Sequence, residues 1–212
     1  MRKPTSMRRL EALGRVRLSK YFYMRDFLFS EIAAVHGFSN IPDDPDIAIK
    51  AGRALCSELL DPLQETFGAV ALRSGYRSAE VNQFGNAHGL NCARNEADFG
   101  GHIWDHLDSR GALGACVCVV IPWFADRYEQ GRDWHDLAWW LHDYLPYSEI
   151  RFFPKLAAFN LTYSEQPKRE IRGWIGGNSV LLREGEEPQE TLVQRKSRYQ
   201  DFPKFCCLDL PH

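Results

Sequence analysis

A chain of 212 residues with 44% hydrophobic and 25% charged side chains is long enough to bury one self-sufficient core. Its net charge of -2 argues against a general affinity for nucleic acid or for anionic membranes. No apolar run follows Met1-Arg2-Lys3, and none reaches the ~20 residues of a membrane span, so the protein is expected to have no export signal and to stay in the cytoplasm.

The first 17 residues read as a basic arm, with Arg2, Lys3, Arg8, Arg9, Arg15 and Arg17 facing the single acid Glu11. Ser19 is a plausible cap for a short helix within Leu18 to Phe29, and Ser30 to His36 reads as helix stopped by Gly37. The prolines of Asn40-Ile41-Pro42-Asp43-Asp44-Pro45 forbid regular helix until Pro45 can occupy a first turn. From Asp46 the positions Ile47, Ala51, Ala54, Leu55, Leu59 and Leu63 recur at helical spacing, with Asp61-Pro62 as a kink or restart and Gly68 as the end. Ala69 to Leu72 has strand character and leads into Ser74-Gly75-Tyr76-Arg77-Ser78. Ser78 opens a helical turn that Gly85 is expected to end, and Ala97-Asp98-Phe99 reads as the start of a strand.

The run Ala115 to Ile121 is apolar and rich in β-branched residues, as a central strand requires. Asp133 caps a helix through Tyr144, and Ile150 to Phe153 and Ala157 to Tyr163 are the last strand candidates. Beyond Gly177, charge and turn residues predict a C-terminal extension over 178–212. Helices first, then strands with one helix between them, make the class α+β. The six cysteines show no C-x-x-C spacing and read as reduced thiols.

The stretch Ser74 to Ser78 carries the strongest functional signal. Gly75 permits a sharp turn after a strand, which holds Arg77 at a strand-to-helix junction where its planar fork suits a carboxylate or an oxyanion. Ser-Gly-Tyr-Arg-Ser followed by Asn82 resembles the signature of the D-Ala-D-Ala carboxypeptidase-like zinc peptidases, which share their fold with the hedgehog signalling domain and several phage endolysins. Leu18 to Phe22, Asn40-Ile41-Pro42 and Leu60-Asp61-Pro62-Leu63 match the upstream context, so the resemblance spans roughly residues 18 to 165.

The resemblance implies a small antiparallel sheet flanked by helices, in a domain covering 18–177 with an insertion at about 101–132. It also implies a Zn²⁺ cofactor, held by His88 and Asp98, with Arg77 as the catalytic arginine. Ser74, Tyr76, Asn82 and Asn160 would contact the substrate, a short peptide or cell-wall peptide, met either inside the cell or after release by lysis or a holin. Departures accompany it. Nine residues separate His88 from Asp98, more than the family motif has, Asn160 stands where the third ligand belongs, and no Glu precedes it as general base. Two functions therefore stand side by side: a divergent metallopeptidase of the carboxypeptidase or endopeptidase class, and an inactive relative serving as a peptide-binding or structural domain. The peptidase reading needs another ligand, for which His102 and His106 in the insertion are candidates, or a different alignment of the last strand.

Overall fold

Local chemistry starts several of the helices where the sequence suggests. The computed structural model describes residues 1–206. Helices α1 (Met7–Gly14), α2 (Glu31–His36), α3 (Pro45–Leu55), α4 (Asp61–Phe67), α5 (Ala79–Ala87), α6 (Asn95–Asp98), α7 (Pro122–Glu129), α8 (Trp134–Tyr144) and α9 (Leu192–Arg198) accompany six strands. These are β1 (Ala71–Ser74), β2 (Gly114–Val120), β3 (Glu149–Phe152), β4 (Phe159–Ser164), β5 (Glu170–Gly173) and β6 (Ser179–Leu182). Asp44 accepts the Asp46 and Ile47 amides ahead of Pro45, Ser78 accepts the Val81 amide, and Asp133 accepts that of His135. The Asp61-Pro62 interruption is absorbed by a π-helical stretch, Cys56–Leu60, after which α4 restarts. Ser19 does not cap a helix; its hydroxyl donates to Asp61, and the only helical turn nearby is Met24–Phe27.

The strands form one sheet in the order β1-β2-β4-β3-β5-β6. All pairs are antiparallel except β3 and β5, so the sheet is mixed rather than the antiparallel one expected. The loop after β4 passes the start of β3 and lays β5 on the far edge of that strand. A turn that reverses direction and skips one strand must leave its strand parallel to the one it skips.

Alternation divides the sheet into two unlike faces. Val117, Val119, Phe159, Leu161, Ile150, Phe152 and Ile171 are buried in the core with residues of α3 and α8. The opposite face carries Cys116 and Cys118, Asn160 and Thr162, Glu149 and Arg151, and Glu170 and Arg172, in register across four strands.

Residues 1–17 and 178–206 are built into this core, while 207–212 of the expected extension lie outside the described residues. Within residues 1–17, expected as an arm, α1 buries Leu13 completely. The segment expected as an extension adds β6 to the sheet and lays α9 along α8, where Arg195 pairs with Asp143 at 2.7 Å and Tyr199 and Phe202 are buried. The expected insertion at about 101–132 contains β2, which lies inside the sheet between β1 and β4. Among the described residues no helix is long and apolar enough to cross a membrane.

Where α8 meets the β3–β5 end of the sheet, the His142 ring nitrogen Nδ1 lies 2.8 Å from the Tyr147 hydroxyl and 3.4 Å from the Arg169 guanidinium. Burial, then the cations Arg169 and Arg195, depress its pKa from 6.5 to about 4, against the opposing pull of Asp143. The unfolded chain therefore binds this proton between pH 6.5 and about 4 while the fold does not, so His142 removes stability as pH falls through that window. Thermal melts should show a smaller drop between pH 7 and pH 4.5 for His142→Gln than for the unsubstituted chain. Equal drops would place the acid sensitivity elsewhere.

Candidate functional site

The polar face of the sheet is the floor of a cleft of about 470 Å³. Cys116, Glu149, Arg151, Asn160, Thr162 and Ser164 rise from β2, β3 and β4. The wall across from them is the segment from α6 to Arg110, including Asp98 and His102. Gly100, with φ +68°, turns that segment sharply, so that the His102 amide donates to Asp98 Oδ1 at 3.1 Å. The segment is then tied to the sheet by the Cys116 amide, which donates to the Gly101 carbonyl at 2.9 Å.

His102 is the best-defined side chain of the site. Nδ1 lies 2.8 Å from the Gly75 carbonyl, an oxygen that only accepts, so Nδ1 carries the proton and Nε2 keeps its lone pair. Burial is the main influence lowering its pKa, with the Arg77 charge adding to it and Asp98 and the Asn160 amide opposing. The ring is thus a neutral hydrogen-bond acceptor beside Asp98 and Asn160.

The fixed charges around the cleft are largely matched. Asp98 faces Arg77 at 3.6 Å, Lys168 donates to Glu149 at 2.5 Å, and Arg110 stands between Asp108 at 3.6 Å and Glu184 at 3.4 Å. Arg151, half-buried on β3 and in register with Asn160, makes no side-chain hydrogen bond or ion pair among the described residues, although its charge joins those of Arg172 and Lys168 in holding the Glu170 carboxyl below its usual range.

The residues singled out in the sequence divide into those that line this cleft and those that support it. Asp98 and Asn160 line it. Asp98 closes the short helix α6 rather than opening a strand. His88 lies elsewhere: α5 runs past Gly85 to Ala87, leaving His88 exposed at its end, stacked on Phe84 with the ring centroids 3.9 Å apart. His106 is on the outer side, stacked on Phe99. His102 takes the place beside Asp98, and the signal for it in the sequence was the Gly100-Gly101 pair, which folds the chain back within four residues.

Arg77 does not reach into the cleft as a free clamp. Its Nη1 donates to Asn82 Oδ1 at 2.7 Å and to Cys92 Sγ at 3.1 Å, behind Asp98. Burial raises the Cys92 thiol pKa against the lowering effect of Arg77. Asn82, fully buried, also donates to the Ala93 carbonyl and to Asn95 Oδ1. Tyr76 is buried, with its hydroxyl 3.3 Å from Asp105 and its carbonyl held by Asn40, and Ser74 sits on β1 opposite Cys118. These residues build the junction instead of lining the cleft.

A catalytic zinc site takes three protein ligands and an open position. Asp98 and His102 supply two donors on one side, and the third corner is the amide of Asn160, a poor zinc ligand. Among the described residues no three His, Cys, Asp or Glu side chains stand close enough to hold a metal ion. The donor set therefore does not fit the zinc centre that the resemblance implies. Searches of family models, curated proteins and solved structures returned no match to this chain.

Proposed function

We propose that the chain is a divergent member of the D-Ala-D-Ala carboxypeptidase-like, hedgehog-fold group whose cleft binds the free carboxylate of a short peptide or comparable small molecule without hydrolysing it. The carrying observation is Arg151, a cation on the cleft floor with no ion pair among the described residues. A guanidinium fork suits a carboxylate. Beside it, neutral His102 and the Asn160 amide offer an acceptor and an amide to the neighbouring N–H or C=O groups of a peptide. The family assignment rests on the Ser74 to Ser78 signature, which occupies a strand-to-helix junction between β1 and α5.

Calorimetric titration with the dipeptide D-Ala-D-Ala and with its C-terminal amide tests the reading. The acid is expected to bind and the amide to bind much more weakly. Arg151→Gln is expected to weaken binding of the acid by about tenfold or more, since a hydrogen bond to a charged group contributes roughly 1.5–3 kcal/mol. Equal affinity for acid and amide, or an unaffected Arg151 variant, would remove the carboxylate from the account. The metallopeptidase reading draws on Asp98 and His102 alone, and hydrolysis of the dipeptide on addition of zinc would restore it.

A further inference from the structure

Of the six tryptophans, one is left in solvent. Trp104, Trp134, Trp139 and Trp140 are buried and Trp123 is half-buried against the core, whereas Trp174 is 50% exposed. Its side chain makes no hydrogen bond, ring contact or cation contact among the described residues.

Trp174 follows β5 directly and is held in the sheet. Its amide donates to the Phe152 carbonyl at 2.9 Å, which carries the β3–β5 ladder one residue further. Gly173 faces the core, since a Cβ added there would stand 2.7 Å from the buried Trp134 ring. Alternation then places Trp174 on the opposite face, the one that floors the cleft. Three rows cross β3 and β5 on that face. Glu149 and Glu170 form an acidic row and Arg151 and Arg172 a basic one, each pair in register. Phe153 and Trp174 continue the two strands as an aromatic row. Lys168 engages Glu149, and Arg172 engages Glu170. The groups left over are the Arg151 guanidinium and the aromatic row next to it. Neighbouring strands lie ~4.8 Å apart and alternate residues of one strand ~7 Å apart. Arg151 and Trp174 are thus diagonal neighbours, a spacing that long and aromatic side chains bridge.

We infer that Trp174 sets the ligand class of the cleft: carboxylates whose α-carbon carries a large aromatic side chain, as at the C-terminus of a peptide ending in such a residue. The carboxylate lies on Arg151 and the ring packs against Trp174, with Phe153 beside it. Carboxylate and side chain of a terminal residue share one carbon, so one ligand residue meets both partners only where these are neighbours. A ring is favoured over an alkyl chain of similar size because offset or edge-on ring pairs are worth more than the area they bury. This inference rests on the carboxylate-binding reading of the cleft and narrows it, since the methyl group of a terminal alanine leaves Trp174 uncovered.

Calorimetric titrations with D-Ala-D-Ala and D-Ala-D-Phe, dipeptides of equal length and charge, test it. The phenylalanine peptide is expected to bind about tenfold more tightly, from partial burial of two rings. Trp174→Ala is expected to abolish that preference, and Trp174→Phe to restore most of it. The position is exposed, so both variants should fold, which circular dichroism checks. In the unsubstituted chain, saturation with D-Ala-D-Phe should protect tryptophan emission from acrylamide quenching more than saturation with D-Ala-D-Ala does. Equal affinity for the two peptides, with binding still dependent on Arg151, overturns the role of Trp174 and leaves the carboxylate reading standing. A preference that Trp174→Ala leaves intact does the same. Binding of neither peptide, or binding that Arg151→Gln does not weaken, overturns both.

Discussion

Arg77→Ala is expected to lower the melting temperature by about 10 °C, because removing one partner of a buried ion pair costs roughly 3–5 kcal/mol and each kcal/mol moves a domain of this size by about 2–4 °C. The side chains of Arg77 and Asp98 are only 12% and 13% exposed. Without the guanidinium, the carboxylate keeps the amide of His102 but loses its compensating charge, and the oxygen of the fully buried Asn82 loses a donor. Arg77→Lys should recover only part of the loss, since all three contacts converge on Nη1, at the far end of a planar group whose reach the shorter lysine side chain does not reproduce. Thermal unfolding of both variants decides between a supporting arginine and the ligand clamp that its signature motif suggests. A variant that melts as the unsubstituted chain does, yet no longer binds ligand, would establish the clamp.

Gly114→Ala should disrupt the cleft at its other seam. A Cβ added to Gly114 would stand 2.3 Å from the Gly100 carbonyl oxygen and 3.0 Å from that of Tyr163. Both oxygens belong to backbone. Gly100 is held in a left-handed turn, and Tyr163 belongs to β4, hydrogen-bonded on both sides, so neither yields easily. Overpacking of this kind costs about 3 kcal/mol. The loop carrying Asp98 and His102 must then lift from β2. Calorimetry should record lost ligand affinity together with a lower melting temperature. Gly111→Ala is the control: its φ of +75° carries local strain, but no atom lies within 4 Å of the added carbon. Its expected cost is only about 1–2 kcal/mol, with the cleft unchanged. Equal effects in the two variants would mean that backbone strain, rather than the seam with Gly100, governs position 114.

The residues that sequence reasoning placed well are those whose cause is local. Ser78 and Asp133 begin helices because their side chains accept amides two or three residues ahead, and Gly37 ends one because it alone tolerates φ of +74° at no cost. Ile150 to Phe153 and Ala157 to Tyr163 were legible as strand candidates, and the structure shows the polar face that their alternation makes. Its polar positions, Arg151, Asn160 and Thr162, are the floor of the cleft. Arg77 at a junction was legible for the same reason, from the turn at Gly75, whereas Asp98 and Asn160 were singled out only by the family resemblance.

What the sequence left open depends on distance through space. Whether His88 or His102 accompanies Asp98 turns on where α5 stops and on how the Gly100-Gly101 turn docks against β2, through the Cys116 amide and the Gly101 carbonyl. Nothing within a few residues of either histidine records that docking. The direction of the Arg77 side chain was hidden likewise, since Asn82 and Cys92 compete for the guanidinium only once α5 has brought them together. The C-terminal segment looks like a polar tail because its apolar residues are few, yet Tyr199 and Phe202 are placed to fill the gap between α8 and the aromatic rings of Phe67 and Trp123. By itself the sequence determined an α+β chain with an arginine at a strand-to-helix junction, because caps and turns act over a few residues. Only the tertiary structure decided which histidine faces the polar strand face and which arginine stands there without an ion pair among the described residues, because packing pairs charges far apart in the chain and the site is made of what remains.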